Sequence, residues 1–387
     1  MRVALSGWFW DRPETGSGQY VRALVAALAE TAPTAQFVVL LPSASVSAAT
    51  VLASNIEFRV VLGRRSNLGK LWWEQVTLPR MARGCGADLL HVPYWAPPLH
   101  TTIPTVVTIH DLIPLLLKPY RGGPLVRLYT AFVRATSPRA TLLLTDSEAS
   151  RQDIIAHLYV PPDRVRTVYL AVGEAYADLS GFPKPDRSSA VTEDAAVLEQ
   201  LGVQPGYVLY LGGFDVRKNV RAVCAAFARV AQAVPNARLV IAGKLPAIDS
   251  DFAPDPRRLA REAGIPNGGV RFVDFVPEEA KPALYRGARA FVFPSIYEGF
   301  GLPPLEALAC GTPVVGSNTS SLPEVVGDAG VLVDPADVDE MADALIHLLT
   351  DDAFHAELQQ RALHQAASFS WETTARETYA AYKEVLR

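Results

Sequence analysis

The sequence predicts an α/β protein made of two doubly wound domains, each with a parallel sheet at its centre. Three observations lead to this prediction. Short apolar runs that read as strands alternate with longer segments that read as helices. The strand-like runs are continuously apolar, as expected of parallel strands that are buried on both faces. The pattern occurs twice in 387 residues, a length that suffices for two domains of ordinary size.

The order of the elements supports this fold class in both halves. In the first half a helix is predicted from about Tyr20 to Glu30, and strands are predicted at residues 2–8, 37–42, 56–63, 87–93, 104–111 and 140–147. In the second half strands are predicted at residues 207–213, 237–244, 270–276, 288–295, 312–317 and 330–335.

The domain boundaries follow from composition. A segment rich in proline, serine and charge, "AYADLSGFPKPDRSSAVTED", separates the two halves. We therefore predict a first domain at residues 1–180, a linker at 181–199 and a second domain at 200–370. The last segment, about 371–387, reads as an amphipathic helix that begins after Ser370, and we expect it to return to the first domain.

Composition excludes several classes of protein. The net charge of −4 argues against nucleic-acid binding. No apolar run reaches the roughly 18 residues of a membrane span, and the first ten residues read as a strand rather than a signal peptide. The three cysteines, Cys85, Cys224 and Cys310, lack metal-ligand spacing and are predicted to be reduced and buried. A cytoplasmic location is the expectation.

The charge is unevenly distributed along the chain. Residues 1–180 hold 17 Lys and Arg against 13 Asp and Glu, whereas residues 181–387 hold 19 against 27. Much of the basic surplus lies in two aromatic-rich segments, 64–83 and 118–135. These segments suit peripheral contact with an anionic membrane surface at the inner face of the membrane, or with a lipid-linked substrate. They also suit surface helices whose basic side chains cover apolar neighbours.

The most informative stretch is "YEGFGLPPLEALACGTPVV", which follows a predicted strand. Gly299 and Gly301 precede a helix that Gly311 and Pro313 end, so residues 299–303 form a strand-to-helix turn. Such a turn presents backbone N–H groups to an anion. Glu298 lies at the entrance of this turn, and Glu306 is predicted in the first turn of the helix, where the helix dipole favours a carboxylate. A carboxylate beside an anion site is better suited to binding hydroxyl groups. A nucleotide sugar has this layout, because its diphosphate has hydroxyl groups on both sides.

Two adjacent cations are expected to act on the same ligand. Arg217 and Lys218 follow the first strand of the second domain, and Asn219 is a suitable helix cap. At the carboxyl end of a strand these cations would neutralise a departing diphosphate. The alternative is that both are solvated surface charges.

The first domain offers further candidates at strand ends. His110 and Asp111 end a predicted strand, where a histidine can donate to a sugar hydroxyl or support a developing positive charge. Tyr94 and Trp95 follow another strand and suit stacking on an acceptor sugar, or packing alone.

One glycine pair and two acidic pairs complete the survey of motifs. Gly16 and Gly18 are placed directly before a helix, which is a second anion-friendly turn. The acidic pairs at 249–251 and 337–339 have no visible partner ligands, and the second suits a helix start. No metal site is predicted.

These residues resemble the retaining GT-B glycosyltransferases of group 1, in particular bacterial mannosyltransferases. The resemblance covers nearly the whole chain and is carried by the E-x7-E element at Glu298 and Glu306, and by "RKN", "IHDLIP" and "SSLPEVVGDAG". It implies two Rossmann-like domains facing a deep cleft, with the acceptor bound by the first and the nucleotide-sugar donor by the second.

The resemblance also implies roles for individual residues. Glu298 would contact the hydroxyls of the donor sugar, Glu306 those of the ribose, and Arg217 and Lys218 the diphosphate. The backbone of Gly299, Phe300, Gly301 and Leu302 would contact sugar and phosphate oxygens, and His110 would lie near the donor sugar. "TGSGQY" departs from the family's usual Gly-Gly pair, so the implied donor role of Gly16 and Gly18 is less specific.

The implied reaction is metal-independent, front-face transfer of a hexose with retention, without a cofactor beyond the nucleotide sugar. GDP-mannose is the favoured donor, and a glycan or lipid-linked saccharide the expected acceptor. Three alternatives stay open: a UDP-sugar-dependent glucosyl- or N-acetylhexosaminyltransferase, a nucleotide-sugar epimerase or hydrolase, and a two-lobed sugar-binding protein without catalysis.

Overall fold

The structure is a computed structural model that describes residues 1–13, 15–42, 53–61, 66–95, 97–176 and 187–387. The chain divides into two compact units. The first contains Met1–Ala171 together with Ser370–Arg387, and the second contains Val172–Phe369. Each unit has its own parallel sheet, which confirms the predicted fold class.

The first unit is built on a seven-stranded sheet. Its strands are β1 (Arg2–Ser6), β2 (Gln36–Leu41), β3 (Ile56–Val60), β4 (Leu89–Val92), β5 (Thr105–Thr108), β6 (Leu142–Thr145) and β7 (Val165–Thr167). Their order is β3-β2-β1-β4-β5-β6-β7, and every neighbouring pair is parallel. Five of these strands lie within predicted runs, and β2 begins one residue before its predicted run. The three-residue β7 was not predicted, because so short a segment carries no detectable period.

Helices connect the strands of the first unit. They are α1 (Gly16–Thr31), α2 (Asn67–Trp72), α3 (Leu78–Gly84), α4 (Ile113–Leu116), α5 (Pro124–Thr136) and α6 (Glu148–Leu158). A π-helical turn at Trp73–Thr77 joins α2 to α3 without a break. Gly16 and Gly18 thus lie inside α1, and the prediction that they precede the helix is wrong. The cap is Thr15, whose hydroxyl accepts the N–H of Gly18.

The second unit is built on a six-stranded sheet. Its strands are β8 (Tyr207–Leu211), β9 (Leu239–Ala242), β10 (Val270–Val273), β11 (Ala288–Phe293), β12 (Val314–Ser317) and β13 (Gly330–Val333). The order is β10-β9-β8-β11-β12-β13, again entirely parallel. All six strands lie within predicted runs, because strands buried on both faces are continuously apolar.

Eight helices are described in the second unit. They are α7 (Arg187–Leu201), α8 (Val220–Ala233), α9 (Pro256–Glu262), α10 (Lys281–Gly287), α11 (Leu302–Ala309), α12 (Leu322–Val326), α13 (Val338–Thr350) and α14 (Asp352–Ala366). The prediction of a linker at 181–199 is wrong for the part from 187 onward, while 181–186 lie outside the described residues. Helix α7 belongs to the second unit because Leu198 is buried in the core that contains Tyr207 and Leu284.

The last helix, α15 (Trp371–Val385), belongs to the first unit, as predicted. Ser370 caps it by accepting the N–H of Thr373. Tyr382 is fully buried, and its hydroxyl lies 2.6 Å from Nδ1 of His91 on β4. No helix in the described part of the chain is both long enough and apolar enough to cross a membrane.

Each sheet has one point at which the strand order reverses. In the first sheet this point lies between β1 and β4, and in the second it lies between β8 and β11. In open α/β sheets, ligands bind beyond the carboxyl ends of the strands at such a point. The segments after β1, β4, β8 and β11 are therefore where a site is expected in each unit.

Candidate functional site

An ion-pair cluster spans the reversal point of the second sheet. Glu298, beyond β11, lies 2.6 Å through Oε2 from Nη1 of Arg217 and 2.6 Å through Oε1 from Nζ of Lys218. Both cations follow β8 and are largely buried, and Nζ of Lys218 also lies 4.7 Å from the centre of the Phe293 ring. The structure therefore brings together three residues that were predicted to share a ligand. It excludes the alternative of solvated surface charges.

The charge of Glu298 is stabilised by its neighbours. Burial alone would raise the pKa of this carboxyl, but Lys218 and Arg217 outweigh burial and lower the pKa below its usual value. Ser295 contributes by donating its hydroxyl to Oε1 at 2.5 Å. The sequence reasoning missed Ser295, although its place two residues after β11 was a signal. Asp215 lies 3.6 Å through Oδ1 from Nε of Arg217, so the cluster holds two carboxylates and two cations at the sheet edge.

The turn between Glu298 and α11 is held by hydroxyl groups. Ser321 donates to the carbonyls of Glu298 and Phe300, and the N–H of Glu298 donates to the hydroxyl of Ser320 at 2.9 Å. Ser320 has a left-handed backbone with φ of 52°, a conformation that costs free energy in a residue other than glycine. The "SSLPEVVGDAG" motif therefore supports the glycine turn from behind, which the sequence alone did not indicate.

Gly301 must be a glycine for two reasons. Its φ of 114° is unfavourable for any residue with a side chain, and an added Cβ would lie 2.8 Å from Cδ2 of Leu322. Helix α11 begins directly afterwards at Leu302, so the predicted strand-to-helix turn is confirmed. Gly299, Phe300, Gly301 and Leu302 thus lie where the sequence analysis expected an anion site. Their contact with a donor stays a prediction.

Glu306 lies elsewhere on α11 than expected. We predicted it in the first turn, but α11 begins at Leu302 and Glu306 is in the second turn. Its carboxylate is buried and accepts the hydroxyl of Tyr285 at 2.8 Å. Burial raises the pKa of this carboxyl, partly offset by Lys281 and Tyr285. The local hydrogen bonds, rather than the helix dipole, therefore hold Glu306 in place.

Asn219 does not cap α8 with its side chain. It has a left-handed backbone with φ of 55°, and its side-chain amide donates to the carbonyl of Pro335 at 2.7 Å. This arrangement reverses the chain directly after the two cations. The prediction of a capping side chain is wrong. The side chain of Asn219 instead bonds the turn that carries Arg217 and Lys218 to the segment after β13.

His110 in the first unit is paired with an acid that the sequence analysis did not select. Its Nδ1 lies 2.6 Å from Oδ2 of Asp146, which directly follows β6. Burial alone would lower the pKa of His110, but Asp146 outweighs it, with help from Asp111, and the pKa is raised. Nε2 of His110 is enclosed and makes no hydrogen bond of ordinary geometry to the described residues. The pair favours a charged, oriented imidazolium at the sheet edge.

A chain of buried hydrogen bonds lies behind His110. Thr108 Oγ1 is 3.0 Å from the hydroxyl of Tyr20 and 2.9 Å from Nε2 of His91, whose Nδ1 contacts Tyr382. The ring of Tyr20 meets that of His110 edge to face, with 4.8 Å between the ring centres. Burial lowers the pKa of His91 to about 3, so this histidine is neutral. Both of its ring nitrogens have a hydrogen-bond partner. The network connects α1 and α15 to the strand that carries His110.

The two aromatic residues after β4 have structural partners. Tyr94 is buried, and its hydroxyl lies 2.9 Å from Oγ of Ser6 at the end of β1. The packing alternative is therefore correct for Tyr94, and the prediction that it stacks on an acceptor sugar is wrong. Trp95 is half-buried, and its indole N–H donates to the carbonyl of Asp111 at 2.7 Å. The side chain of Asp111 accepts the N–H of Ile113. The acceptor roles of Trp95 and Asp111 remain predictions.

The two N-terminal glycines serve different purposes. An added Cβ at Gly18 would lie 1.9 Å from the carbonyl oxygen of Arg12, so the close approach of the 9–12 turn to α1 requires a glycine there. Gly16 is exposed and has open space around its α-carbon. A structural reason therefore accounts for Gly18, and a donor contact remains a prediction for both.

The two acidic pairs have ordinary partners. Asp249 forms an ion pair with Arg258 at 2.6 Å, and this bond and a backbone N–H lower the pKa of its carboxyl to about 2. Asp337 caps α13 by accepting the N–H groups of Asp339 and Glu340, as predicted. Among the described residues, no group of three or more histidines, cysteines or acids is arranged to hold a metal ion.

Comparison with known proteins gives concordant matches for both units. Residues 198–365 match the family described as Glycosyl transferases group 1, and residues 15–174 match that described as Glycosyltransferase Family 4. The chain is 38% identical over 281 residues to O-antigen chain mannosyltransferase B of Escherichia coli, covering 72% of this chain and 70% of that protein. It is 35% identical over 273 residues to the serotype-specific mannosyltransferase WbdA of Escherichia coli, covering 70% of this chain but only 32% of that protein.

Comparison of structures supports the same fold. Anabaena HepE, solved in complex with UDP and glucose, is similar with a TM-score of 0.70 and 18% sequence identity, covering 99% of this chain and 100% of that chain. The predicted resemblance, fold and enzyme class are confirmed by these matches together. The chain belongs to the glycosyltransferase group 1 family, has the GT-B fold and is a hexosyltransferase.

Proposed function

We propose that this enzyme transfers mannose from GDP-mannose, with retention of configuration, to a glycan or lipid-linked saccharide. The observation that carries the proposal is the contact of Arg217 and Lys218 with Glu298 at the reversal point of the second sheet. Two fixed cations beside a glycine turn suit a diphosphate, and a carboxylate suits the hydroxyls next to it. The relatives named as mannosyltransferases support mannose as the sugar.

In the proposed reaction, Arg217 and Lys218 act on the leaving group. The bond from the anomeric carbon to the phosphate oxygen breaks, and negative charge grows on the diphosphate. Arg217 and Lys218 stabilise that charge because they are already oriented before the reaction begins. The acceptor oxygen bonds to the anomeric carbon on the same face, and its proton passes to the departing phosphate oxygen. The protein then supplies orientation and electrostatic stabilisation.

Glu298 has two roles in this proposal. Without donor it neutralises, together with Asp215, the two cations, which would otherwise be costly to keep in a buried site. When a diphosphate arrives, the cations gain a second anionic partner and Glu298 can accept hydrogen bonds from the donor sugar. Metal ions are not required, because the two cations supply the positive charge that a metal would supply.

Donor identity is tested by binding and then by product analysis. A thermal-shift panel of GDP-, UDP-, dTDP- and ADP-sugars identifies the donor, because only a ligand of the folded state raises the melting temperature. GDP-mannose is expected to give the largest shift, and NMR of the transferred sugar is expected to show an α-linkage. A larger shift with a UDP-sugar would overturn the donor assignment, and a β-linkage would overturn retention.

We further propose that the first unit contacts an anionic membrane surface. Between Asp111 and Asp146 the chain has five cations and no acid. On α5, Leu125 and Leu128 are 81% and 68% exposed. A cavity of about 280 Å³ in the same part of the chain is lined by Arg121, Arg127 and Arg134. Exposed leucines on a segment whose arginines have no acidic partner among the described residues suit the boundary between anionic headgroups and acyl chains.

Vesicle sedimentation tests the membrane contact. The enzyme is expected to sediment with vesicles of phosphatidylglycerol but not with vesicles of phosphatidylcholine, and salt is expected to weaken the binding. Replacing Arg121, Arg127 and Arg134 with glutamine should abolish sedimentation. A matched triple replacement of Arg229, Arg257 and Arg258, arginines of the second unit that have acidic partners, should not. Equal sedimentation of both variants would overturn the assignment to this face.

A further inference from the structure

The reversal point of the first sheet carries a lysine that the proposed mechanism does not use. Lys70, on α2, lies with its Nζ 5.2 Å from the ring centres of Tyr94 and Tyr129 and 5.6 Å from that of Phe9. Its side chain is 26% exposed. We call Lys70 and these three aromatic residues the Lys70 niche. All three rings lie within the roughly 6 Å at which an aromatic face attracts an ammonium.

A buried acid fixes the niche from behind. Glu74 is fully buried at the start of the π-helical turn and lies 3.5 Å from Nζ of Lys70. Tyr129 donates its hydroxyl to the two carboxylate oxygens at 3.1 and 3.2 Å and accepts from Lys70 at 3.3 Å. Trp73, the preceding residue, is buried as well. A π-helical turn is uncommon and is frequent at functional sites.

The niche lies at the place where the sheet predicts a ligand. Ser6 ends β1, and Tyr94 follows β4, the two strands between which the order reverses. Oγ of Ser6 contacts the hydroxyl of Tyr94 at 2.9 Å and accepts the indole N–H of Trp73 at 3.1 Å. The π-helical turn is thus bonded directly to the end of β1 and, through Ser6, to Tyr94 in the segment after β4. Trp95, next to Tyr94, is bonded in turn to the carbonyl of Asp111.

Hydrogen-bond capacity and charge indicate what the niche binds. An ammonium has three donors, and its hydrogen-bond and ion-pair partners in the described part of the chain are Tyr129 and Glu74. One donor therefore remains for a ligand on the exposed side. Burial raises the pKa of Glu74 to about 7, partly offset by Lys70 and Tyr129. Above that pH its carboxylate balances the charge of Lys70, and the niche then suits a hydroxyl more than a phosphate. This contrasts with the arginines on α5, which lack acidic partners among the described residues.

We propose that the Lys70 niche is a subsite for a neutral saccharide acceptor, in which Lys70 donates a hydrogen bond to a sugar hydroxyl. Glu74 and Tyr129 are positioning residues that hold the ammonium in place. The proposal rests on the proposed function in that an acceptor sugar is the ligand, but it does not depend on which nucleotide sugar is the donor.

Binding without donor tests this inference separately from transfer. Saturation-transfer NMR is recorded with methyl α-mannoside, methyl α-glucoside, methyl β-N-acetylglucosaminide and mannose 6-phosphate as probes. We expect at least one neutral glycoside to bind the wild-type enzyme. Lys70→Met should weaken that binding about 10-fold or more, since a lost hydrogen bond to a charged group is of that size. Lys383→Met is the matched control, because Lys383 also lies over a tyrosine ring in the first unit but is exposed.

The possible results distinguish a ligand-binding role of the Lys70 niche from a purely structural role. Glu74→Gln and Tyr129→Phe should weaken the same glycoside and leave the affinity for GDP unchanged. Equal glycoside binding by wild type and Lys70→Met, or failure of every neutral glycoside to bind, would overturn the proposal. Tighter binding of mannose 6-phosphate that depends on Lys70 would overturn the choice of a neutral ligand. Absence of transfer from GDP-mannose despite Lys70-dependent glycoside binding would count against the proposed donor alone.

Discussion

Nζ of Lys218 lies 2.6 Å from Oε1 of Glu298, so one ion pair joins the segments after β8 and β11 across the reversal point of the second sheet. Arg217 bonds to the other carboxylate oxygen. Removing one partner of a buried pair is costly, because the remaining charge is left uncompensated. Here Glu298 keeps one cation when the other is removed. Single substitutions of the cations should therefore give folded enzymes whose kinetics can be measured.

Lys218→Ala is expected to lower kcat by more than it weakens donor binding. The interaction with the diphosphate is strongest as the leaving group gains charge, so its loss should fall mainly on the transition state. Removing one such donor typically costs about 10²–10³ in kcat. Arg217→Ala should behave similarly, and the double variant should cost less than the sum if both cations serve one diphosphate.

The control for this experiment is Arg221→Ala. It removes an exposed cation in the first turn of α8, three residues after Lys218. It should leave kcat and KM unchanged. A rise in KM alone for Lys218→Ala, with kcat intact at saturating donor, would make the lysine a tether for the nucleotide and contradict its role in leaving-group stabilisation.

Glu306→Gln is expected to weaken binding of GDP-mannose and of GDP while the protein stays folded. A charge-assisted hydrogen bond to a hydroxyl is worth about 1.5–3 kcal/mol, which calorimetric titration resolves easily. Tyr285→Phe serves as the comparison, because it removes only the hydroxyl that holds Glu306 and should have a smaller effect. Unchanged GDP affinity in Glu306→Gln would remove this residue from the donor site.

Activity is expected to survive excess EDTA, because Arg217 and Lys218 supply the positive charge at the diphosphate. The measurement is the initial rate of transfer from GDP-mannose before and after chelation. Loss of activity that magnesium or manganese restores would contradict this expectation. Because Asp249 is committed to Arg258, a metal site would then have to be sought outside that acidic pair.

The sequence predicted strands more reliably than the partners of site residues. Twelve of the thirteen strands match predicted runs to within one residue, because burial on both faces makes a strand continuously apolar. The pairing of Lys218 with Glu298, 80 residues apart, depends on β8 and β11 being neighbours, and no local pattern determines strand order. Asp146 was missed for the same reason, since it reaches His110 only because β5 and β6 are adjacent. Glu306 was misplaced by one turn because the exact start of α11 depends on the left-handed Gly301.

Asp146→Asn is expected to lower the pKa of His110, since Asp146 is what raises it against the effect of burial. The folded-state pKa of His110 is raised, so the pair stabilises the fold fully below the ordinary histidine pKa of about 6.5. That stabilisation is lost as the pH rises through the folded-state pKa. NMR titration of the His110 ring in both proteins checks the shift. An unchanged pKa in Asp146→Asn would contradict the electrostatic account of this pair.

The buried network around His91 should make the first unit sensitive to acid. His91 has its pKa lowered to about 3 by burial, against about 6.5 in the unfolded chain. Its contribution to stability is therefore complete above pH 6.5 and is lost as the pH falls from about 6.5 towards 3, because the unfolded state binds the proton first. Replacing His91 with glutamine, which can bond to Tyr382 and Thr108 but does not titrate, should flatten this dependence.

Tyr382→Phe tests the same network at neutral pH. It leaves Nδ1 of His91 buried without the hydroxyl that lies 2.6 Å away, and an unsatisfied buried group costs about 1–3 kcal/mol. Tyr379→Phe on the same helix is the matched control, because its hydroxyl has no hydrogen bond to the described residues and its loss should leave the melting temperature unchanged. Chemical denaturation of the three proteins at pH 7.5 measures the difference in free energy of unfolding. If Tyr382→Phe were as stable as Tyr379→Phe, the hydroxyl would not be what attaches α15 to β4, and the packing of the helix against α1 would have to account for its place in the first unit.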